Sequence, residues 1–370
     1  MSIENSTNFI LNSIEADANQ GGWRATGFFA NDQDEAVYQR RMDLYFLIEG
    51  NGSWESDSVL GMRGSMFPQN VRFDIRQSQT QVNVATSDAF LNQRGLQGIY
   101  FTNTNPVTHP HEITNMRLGK IVQHIIEQHC NVSSTAFIQN TDGTYSANLV
   151  GGWVDTTDID TTTSTRVNVF TVRQANSIWQ KVKEIADNEF YVRYMTKHDE
   201  FVYRQHPAFL PTLQTVTLAI DSTMLAGQPE VIFRDENQVD QVVLTALTDD
   251  GQILRSAFPA NIATDGRKLN ITNLRCNEQS RLDQLATRKF SFDSRPYDLR
   301  LFMPGVWGLY LELYDRVTLT YSGTSRNGVS LSFSGEPFYI DKIRVNRVGD
   351  FGAITELGLT QENIAGAIYS

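Results

Sequence analysis

Apolar residues in this chain fall mostly at every second position, and that period leaves most of it little choice but sheet. The last stretch shows it best: Leu309/Leu311/Leu313, Val317/Leu319/Tyr321 and Val329/Leu331/Phe333 alternate with polar neighbours. Such alternation puts one side-chain face on a core and the other toward water. Gly323 and Asn327-Gly328 separate these runs with residues that tolerate positive φ. Phe338–Val345 alternates imperfectly, which predicts a bulge, and Ile354, Leu357 and Leu359 close the set. Near the start, the run Leu44–Ile48 stops at Gly50-Asn51-Gly52, and Val71/Phe73/Ile75 and Val82/Val84 alternate. Val216/Leu218, Val231/Phe233 and Val242/Leu244 continue the theme, and Asp249-Asp250-Gly251 predicts a hairpin between 243–247 and 253–258.

The period changes to that of a helix in three places. Leu118, Ile121, Val122, Ile125 and Ile126 make one helix face, with Thr114 as expected N-cap and Asn131 as expected end. Ile178, Val182, Ile185 and Ala186 make a second over about 175–188, with Trp179 beside the stripe. It feeds directly into alternating Phe190, Val192 and Tyr194, a turn at Lys197-His198-Asp199, and a return through Phe201, Val202 and Tyr203. Leu282, Leu285 and Ala286 predict a third helix over about 278–288. The polar, Thr-rich stretch 131–165, of which 155–165 has no strong apolar face, reads as an exposed loop or mobile segment, and as a candidate contact to a neighbouring subunit. The fold class expected is therefore α+β, β-dominant. Its divisions are a β-domain at 1–112, an α+β domain at 113–207, a second β-domain at 208–240 with 309–370, and a small inserted α+β domain at 241–308.

Composition narrows the function. Acidic residues outnumber basic ones, 42 to 31, for a net charge of −11, which argues against a general binder of DNA or anionic membrane. No apolar run approaches the ~18 residues of a membrane-spanning helix, and residues 1–30 carry no recognisable secretion signal. Cys130 and Cys276 stand far apart, which excludes a disulfide framework and a zinc finger and leaves two buried thiols as the expectation.

Chemistry-bearing motifs are thin. His109-Pro110-His111-Glu112 and His124/Glu127 each have some ligand character, but no spacing fixes a further ligand, and His129-Cys130 fits a helix end. There is no G-x-S-x-G or Walker motif; Gly61–Gly64 and Gly305–Gly308 are plain G-x-x-G pairs. Asp155/Asp158/Asp160, Asp199/Glu200 and Asp249/Asp250 read as solvated acidic loops. The tryptophans, Trp23, Trp54, Trp153, Trp179 and Trp307, are scattered and read mostly as core or interface residues. No catalytic, cofactor-binding or metal-binding residue is assigned, and no cofactor is expected.

One ordered set of segments does carry a resemblance. Ser177–Val192 runs as a helix with Trp179, Val182, Ile185-Ala186 and Glu189-Phe190 straight into a strand. Leu285-Ala286 follows in a later helix, then Leu311–Leu319 with its Asp315-Arg316-Val317 step, then Tyr339–Val345 and Thr355–Leu359. In that order these segments resemble the tail-hub proteins of tailed bacteriophages and related injection systems. The residue before Asp315 departs from the pattern: Tyr314 stands where the family usually has Gly.

The resemblance implies a structural, non-enzymatic homotrimer with two tube-like β-domains per chain, forming a threefold, pseudo-sixfold ring. It implies a tail tube or distal tail protein above, a tip, spike or fibre protein below, and contact with a tape measure protein. DNA would pass through the lumen without specific binding, and there would be no stable membrane insertion. The implied setting is the virion tail tip or baseplate, assembled in the host cytoplasm. The readings weighed against it are a distal-tail or receptor-binding module and a β-rich carbohydrate hydrolase.

Overall fold

The computed structural model describes residues 9–30, 41–47, 58–66, 72–74, 79–93, 95, 112–131, 135–139, 145–149, 158–162, 164–171, 177–207, 214–233, 239–248, 250–261, 266–294, 297–347 and 352–361. The protein is α+β and β-dominant. Its first part holds β1 (Phe9–Asp17), β2 (Gly22–Ala30), β3 (Arg41–Leu47), β4 (Ser58–Met66), β5 (Arg72–Asp74), β6 (Gln79–Ala85) and α1 (Ser87–Gln93). Then come β7 (Glu112–Arg117), α2 (Leu118–Asn131), β8 (Thr135–Gln139), β9 (Tyr145–Leu149) and β10 (Arg166–Thr171). The middle closes with α3 (Ile178–Glu189), β11 (Tyr191–Met195) and β12 (Phe201–Gln205). Next are β13 (Leu218–Asp221), β14 (Glu230–Phe233), β15 (Gln241–Leu247), β16 (Ile253–Phe258), β17 (Lys268–Arg275) and α4 (Gln279–Asp293). The last strands are β18 (Tyr297–Pro304), β19 (Arg316–Thr324), β20 (Ser330–Arg347) and β21 (Ala353–Gln361).

Twelve strands form one sheet, and its main path runs β14-β18-β21-β20-β1-β2-β6-β4-β3. β20, 18 residues long, is the common strand. Its first half pairs with β19, its second half with β21, and residues 342–346 pair antiparallel with 13–17 of β1. The early and late β-units therefore share a ladder. They also share a core, in which Ile14, Trp23 and Val84 meet Leu301, Phe338, Ile343 and Leu357. The expected irregularity in Phe338–Val345 is a register shift between Ile340 and Lys342 where β20 faces β21.

A second core gathers α1, α2, α3 and the β11–β12 hairpin. The helix stripes read from the sequence, Ile121, Val122, Ile125, Ile178, Val182 and Ile185, all lie inside it. A third, smaller core lies between the β16-β15-β17 sheet and α4, where Leu244 and Leu274 meet Leu282 and Leu285.

Some expectations fail locally, for physical reasons. Thr114 is no N-cap: it sits in β7 opposite Val169, because residues 112–117 find a ladder partner in β10 and the helix starts only at Leu118. The stretch 131–165 contains the β8–β9 hairpin, and Ile159, Ser164 and Thr165 are buried rather than exposed. Asp160 N–H donates to the Tyr203 carbonyl at 2.7 Å, Tyr203 N–H to that of Asp158 at 3.1 Å, and Ser164 is fully buried. Leu309, Leu311 and Leu313 are buried as their alternation predicts, but a 3-10 turn at Trp307–Tyr310 and a following bend replace the expected strand. The linkers 50–52 and 102–110 lie outside the described residues.

Gly119 is where this seat leaves no room. A Cβ there would stand far inside contact with the Asp160 carbonyl oxygen, while Gly119 N–H donates to Ser164 Oγ at 2.9 Å. Gly to Ala inside a helix is ordinarily favourable by about 1 kcal/mol. Here the clash outweighs that gain, so Gly119→Ala is expected to lower unfolding free energy by about 1–3 kcal/mol in a denaturant titration.

Candidate functional site

The place where the units are joined is the β11–β12 hairpin. Side chains alternate across a strand, so a hairpin between two cores must be apolar on both faces. Val192, Tyr194 and Val202 point into the large β-core, while Tyr191, Met195, Phe201 and Tyr203 point into the helical core. Arg193, only 6% exposed, lies with its guanidinium 4.8 Å from the centre of the Trp179 ring, and burial lowers its pKa.

The hairpin tip is polar and fully used. Asp199 takes a left-handed backbone, φ 65°, which Asp tolerates better than most residues. Its carboxylate accepts from Ser87 N–H and Ser87 Oγ, each at 2.6 Å, which fixes the start of α1. The Lys197 carbonyl accepts from Arg63 N–H of β4 at 2.7 Å, and Lys197 Nζ donates to the Leu309 carbonyl at 2.7 Å. Lys197 N–H donates to Glu312 Oε1 at 3.0 Å, and Trp23 Nε1 donates to Glu312 Oε2 at 3.2 Å. A single tip thus binds the first β-unit, the helical unit and the second β-unit. Arg24 and buried Asp88 form an ion pair beside it; burial opposes the Arg24 charge, but the Arg24 pKa is raised because Asp88, with Glu15 and Asp199, offsets this.

Protein atoms crowd the Glu312 carboxyl although the residue keeps a partly open edge. Loss of water is the main cause raising its pKa to about 8, against the pull of Lys197 and Trp23 and with a smaller push from Asp315. Burial also raises Asp315, whose carboxylate accepts from Glu312 N–H at 2.9 Å. Both Glu312 oxygens are engaged by N–H donors, so this carboxyl joins chain segments. Beside it, Tyr314 has φ 66°, with its ring centre 5.2 Å from those of both Tyr194 and His206.

A second junction ties on the small module. Glu189, at the end of α3, is buried and its pKa is raised, chiefly by burial. It accepts from Tyr203 Oη at 2.9 Å and from Thr165 N–H, and Arg281 of α4 lies 3.7 Å away. Lys289, also on α4, stacks 5.7 Å from the centre of the Phe190 ring.

The sequence candidates fall elsewhere or play smaller parts. His109, His111, Asp155, Asp249, Trp54 and Trp153 lie outside the described residues, as do the side chains of Glu127, His129 and Cys130. His124 is half-buried on α2. Asp158 pairs with Arg204 at 3.4 Å, Asp160 accepts from Tyr191 Oη at 3.1 Å, and Asp250 accepts from Thr248 Oγ1. Cys276 is buried and free. Trp23 and Trp179 are buried, whereas Trp307 is 40% exposed. Among the described residues no three His, Cys, Asp or Glu side chains are grouped to hold a metal, and no helix is long and apolar enough to cross a membrane.

Sequence reasoning saw Lys197–Asp199 only as a turn and gave Glu312 no role beyond its place in a motif. A charged residue between Leu311 and Leu313 reads as the water-facing member of a strand. The 3-10 turn before it redirects the chain and makes that reading fail.

Glu312 gives a pH signature. An unfolded Glu titrates near 4.5 and the folded one near 8, so between these values the folded state holds a proton that the unfolded state has lost. Its contribution is fully present below pH 4.5 and is lost as pH rises through 8. Glu312→Gln is expected to cost roughly 1 kcal/mol near pH 6, because its amide NH₂ faces the Trp23 donor. Urea titrations from pH 5 to 8.5 should show wild-type stability falling with pH and a shallower fall in the variant; parallel profiles would remove the assignment.

No family model and no curated protein matches this sequence. Its fold does match solved structures over nearly the whole chain. A tail protein from Neisseria meningitidis MC58 aligns over 98% of this chain and 94% of its own, with TM-score 0.63 and 11% identity. The 43 kDa tail protein of prophage MuSo2 from Shewanella oneidensis aligns over 98% and 97%, with TM-score 0.57 and 11% identity. Prophage tail protein gp18 from Listeria monocytogenes EGD-e aligns over 99% and 93%, with TM-score 0.52 and 10% identity. The chain has the fold of these phage tail proteins, which is the tail-hub-like fold that its sequence resembles.

Proposed function

We propose that this chain is the structural hub of a phage tail tip or baseplate. In this reading it forms a homotrimer whose two β-units per chain make a pseudo-sixfold ring between a hexameric tail tube and threefold tip components. Segments 1–112 and 208–240 with 309–370 are the tube-like domains, and 113–207 and 241–308 are the smaller ones. The observation that carries the reading is the shared ladder: β1 and β20 lay two β-units side by side within one polypeptide. Three such chains supply six units already joined in pairs. The likeness to tail proteins over almost the full length supports the same reading.

The role is structural rather than catalytic. A tube or distal tail protein binds above, a tip, spike or fibre protein below, and a tape measure protein reaches the channel. The setting is the virion tail, assembled in the host cytoplasm. DNA crosses the lumen without being held, and the net charge of −11 suits a wall that repels phosphate, with acidic side chains of the β-units facing inward.

Light scattering of the purified chain at several concentrations tests this. The expected mass is about three times 41.8 kDa, and imaging should show a threefold ring with an open centre. A monomer at every concentration, or a twofold assembly, would overturn the ring.

A further inference from the structure

Residues 239–294 leave the main sheet and return to it at one place. They are inserted between β14 and β18, whose last register pair is Phe233 and Tyr297. Their own ends are tied together, with Val239 N–H donating to the Asp293 carbonyl at 3.1 Å. Their core is their own: Val242, Leu244 and Leu274 lie under Leu282 and Leu285 of α4. The module is seated on the end of α3. Arg281 stands 3.7 Å from Glu189, and its Nε donates to Thr165 Oγ1 at 3.4 Å. The left-handed cap of α3, Phe190, sets its ring under Lys289 and against the margin of the module core. These ionic and polar contacts are longer than the 2.6–3.0 Å bonds of the hairpin tip. Burial, and then the like charge of Arg281, bring the Arg288 pKa down to about 10 against the pull of Tyr191 and Glu189. Two arginines of α4 thus crowd one buried carboxyl, and leaving the seat relieves Arg288 of both burdens.

We propose that residues 239–294 are a hinged arm, which pivots at the Phe233–Tyr297 pair and is latched in the position described by Glu189 and Phe190 at the end of α3. A unit with its own core, joined to the rest at neighbouring points, turns as a rigid body without opening either core. Relative motion is the default where units meet through ionic and polar contacts instead of a large apolar surface. The arm needs no second chain, so it stands apart from the hub reading.

The test is a spin-label distance between exposed Ser280 on α4 and exposed Ser332 on β20. Labels on an unnatural ketone side chain leave both cysteines in place, and excess unlabelled chain keeps one labelled copy in any assembly. Arg281→Gln/Lys289→Gln should raise the share of a displaced distance about tenfold over wild type. Phe190→Gly keeps the left-handed cap, removes the ring and should act in the same direction. In wild type, about 1 M salt, which shortens the screening length to about 3 Å, should also raise the displaced share. One unshifted distance in wild type at high salt and in both variants overturns the arm. If a variant fails to fold, the wild-type salt series decides by the same criterion. A displaced distance that comes with lost amide protection in β15–β17 reports unfolding of the module, and overturns the arm too. A wild type that is monomeric throughout counts against the hub and leaves the arm standing.

Discussion

A hairpin with no face to water is the constraint on which this molecule turns. β11 and β12 are five residues each, too short to be stable alone, and they persist because a core closes on each side. Burying a large apolar side chain contributes roughly 1.5–3 kcal/mol. Seven such side chains on the hairpin divide between the two cores, so unseating it would open both at once. The polar tip adds direction to that adhesion: Lys197 and Asp199 reach groups from Arg63 to Glu312 with hydrogen bonds of 2.6–3.0 Å.

Polar groups at such a junction cost free energy unless they are paired, and several here carry a structural task. Asp88 holds Arg24, Asp199 holds the start of α1, and Glu189 gathers Tyr203, Thr165 and Arg281. Tyr314 is the odd member. A left-handed backbone costs a bulky residue about 1–2 kcal/mol, whereas Gly, which the resemblance would lead one to expect here, adopts it freely. The Tyr ring offsets that cost by packing between Tyr194 and His206. At Tyr314, backbone ease is thus exchanged for aromatic contact.

What was legible in the sequence was whatever depends on neighbours in the chain. The stripes of α2, α3 and α4, the turns at Asp249-Asp250-Gly251 and Asn327-Gly328, and the irregularity at 340–342 follow from local period and backbone preference. What depends on distant partners was not. Thr114 looked like a cap because its partner Val169 lies 55 positions on. Asp160 and Ser164 looked open because the Tyr203 backbone and Gly119 that seat them are remote. α1 carries Leu91 as its only buried apolar side chain, too little for a period to show, and its start is held by Asp199. The junction was invisible for the same reason: Trp23, Lys197 and Glu312 meet across nearly three hundred residues.

The length of β20 has a mechanical consequence. One unbroken strand is hydrogen-bonded to β19, then to β1 and β21, so a pull that separates the early β-unit from the late one loads the β1–β20 ladder. Where that pull runs along the strands, the ladder is sheared and its bonds share the load together instead of opening one after another. Where it runs across them, the five register pairs at 13–17 and 342–346 open in turn, backed by the common core and by the Trp23–Glu312 and Lys197 contacts. The molecule should therefore resist a pull along β20 better than one that peels β1 away from it.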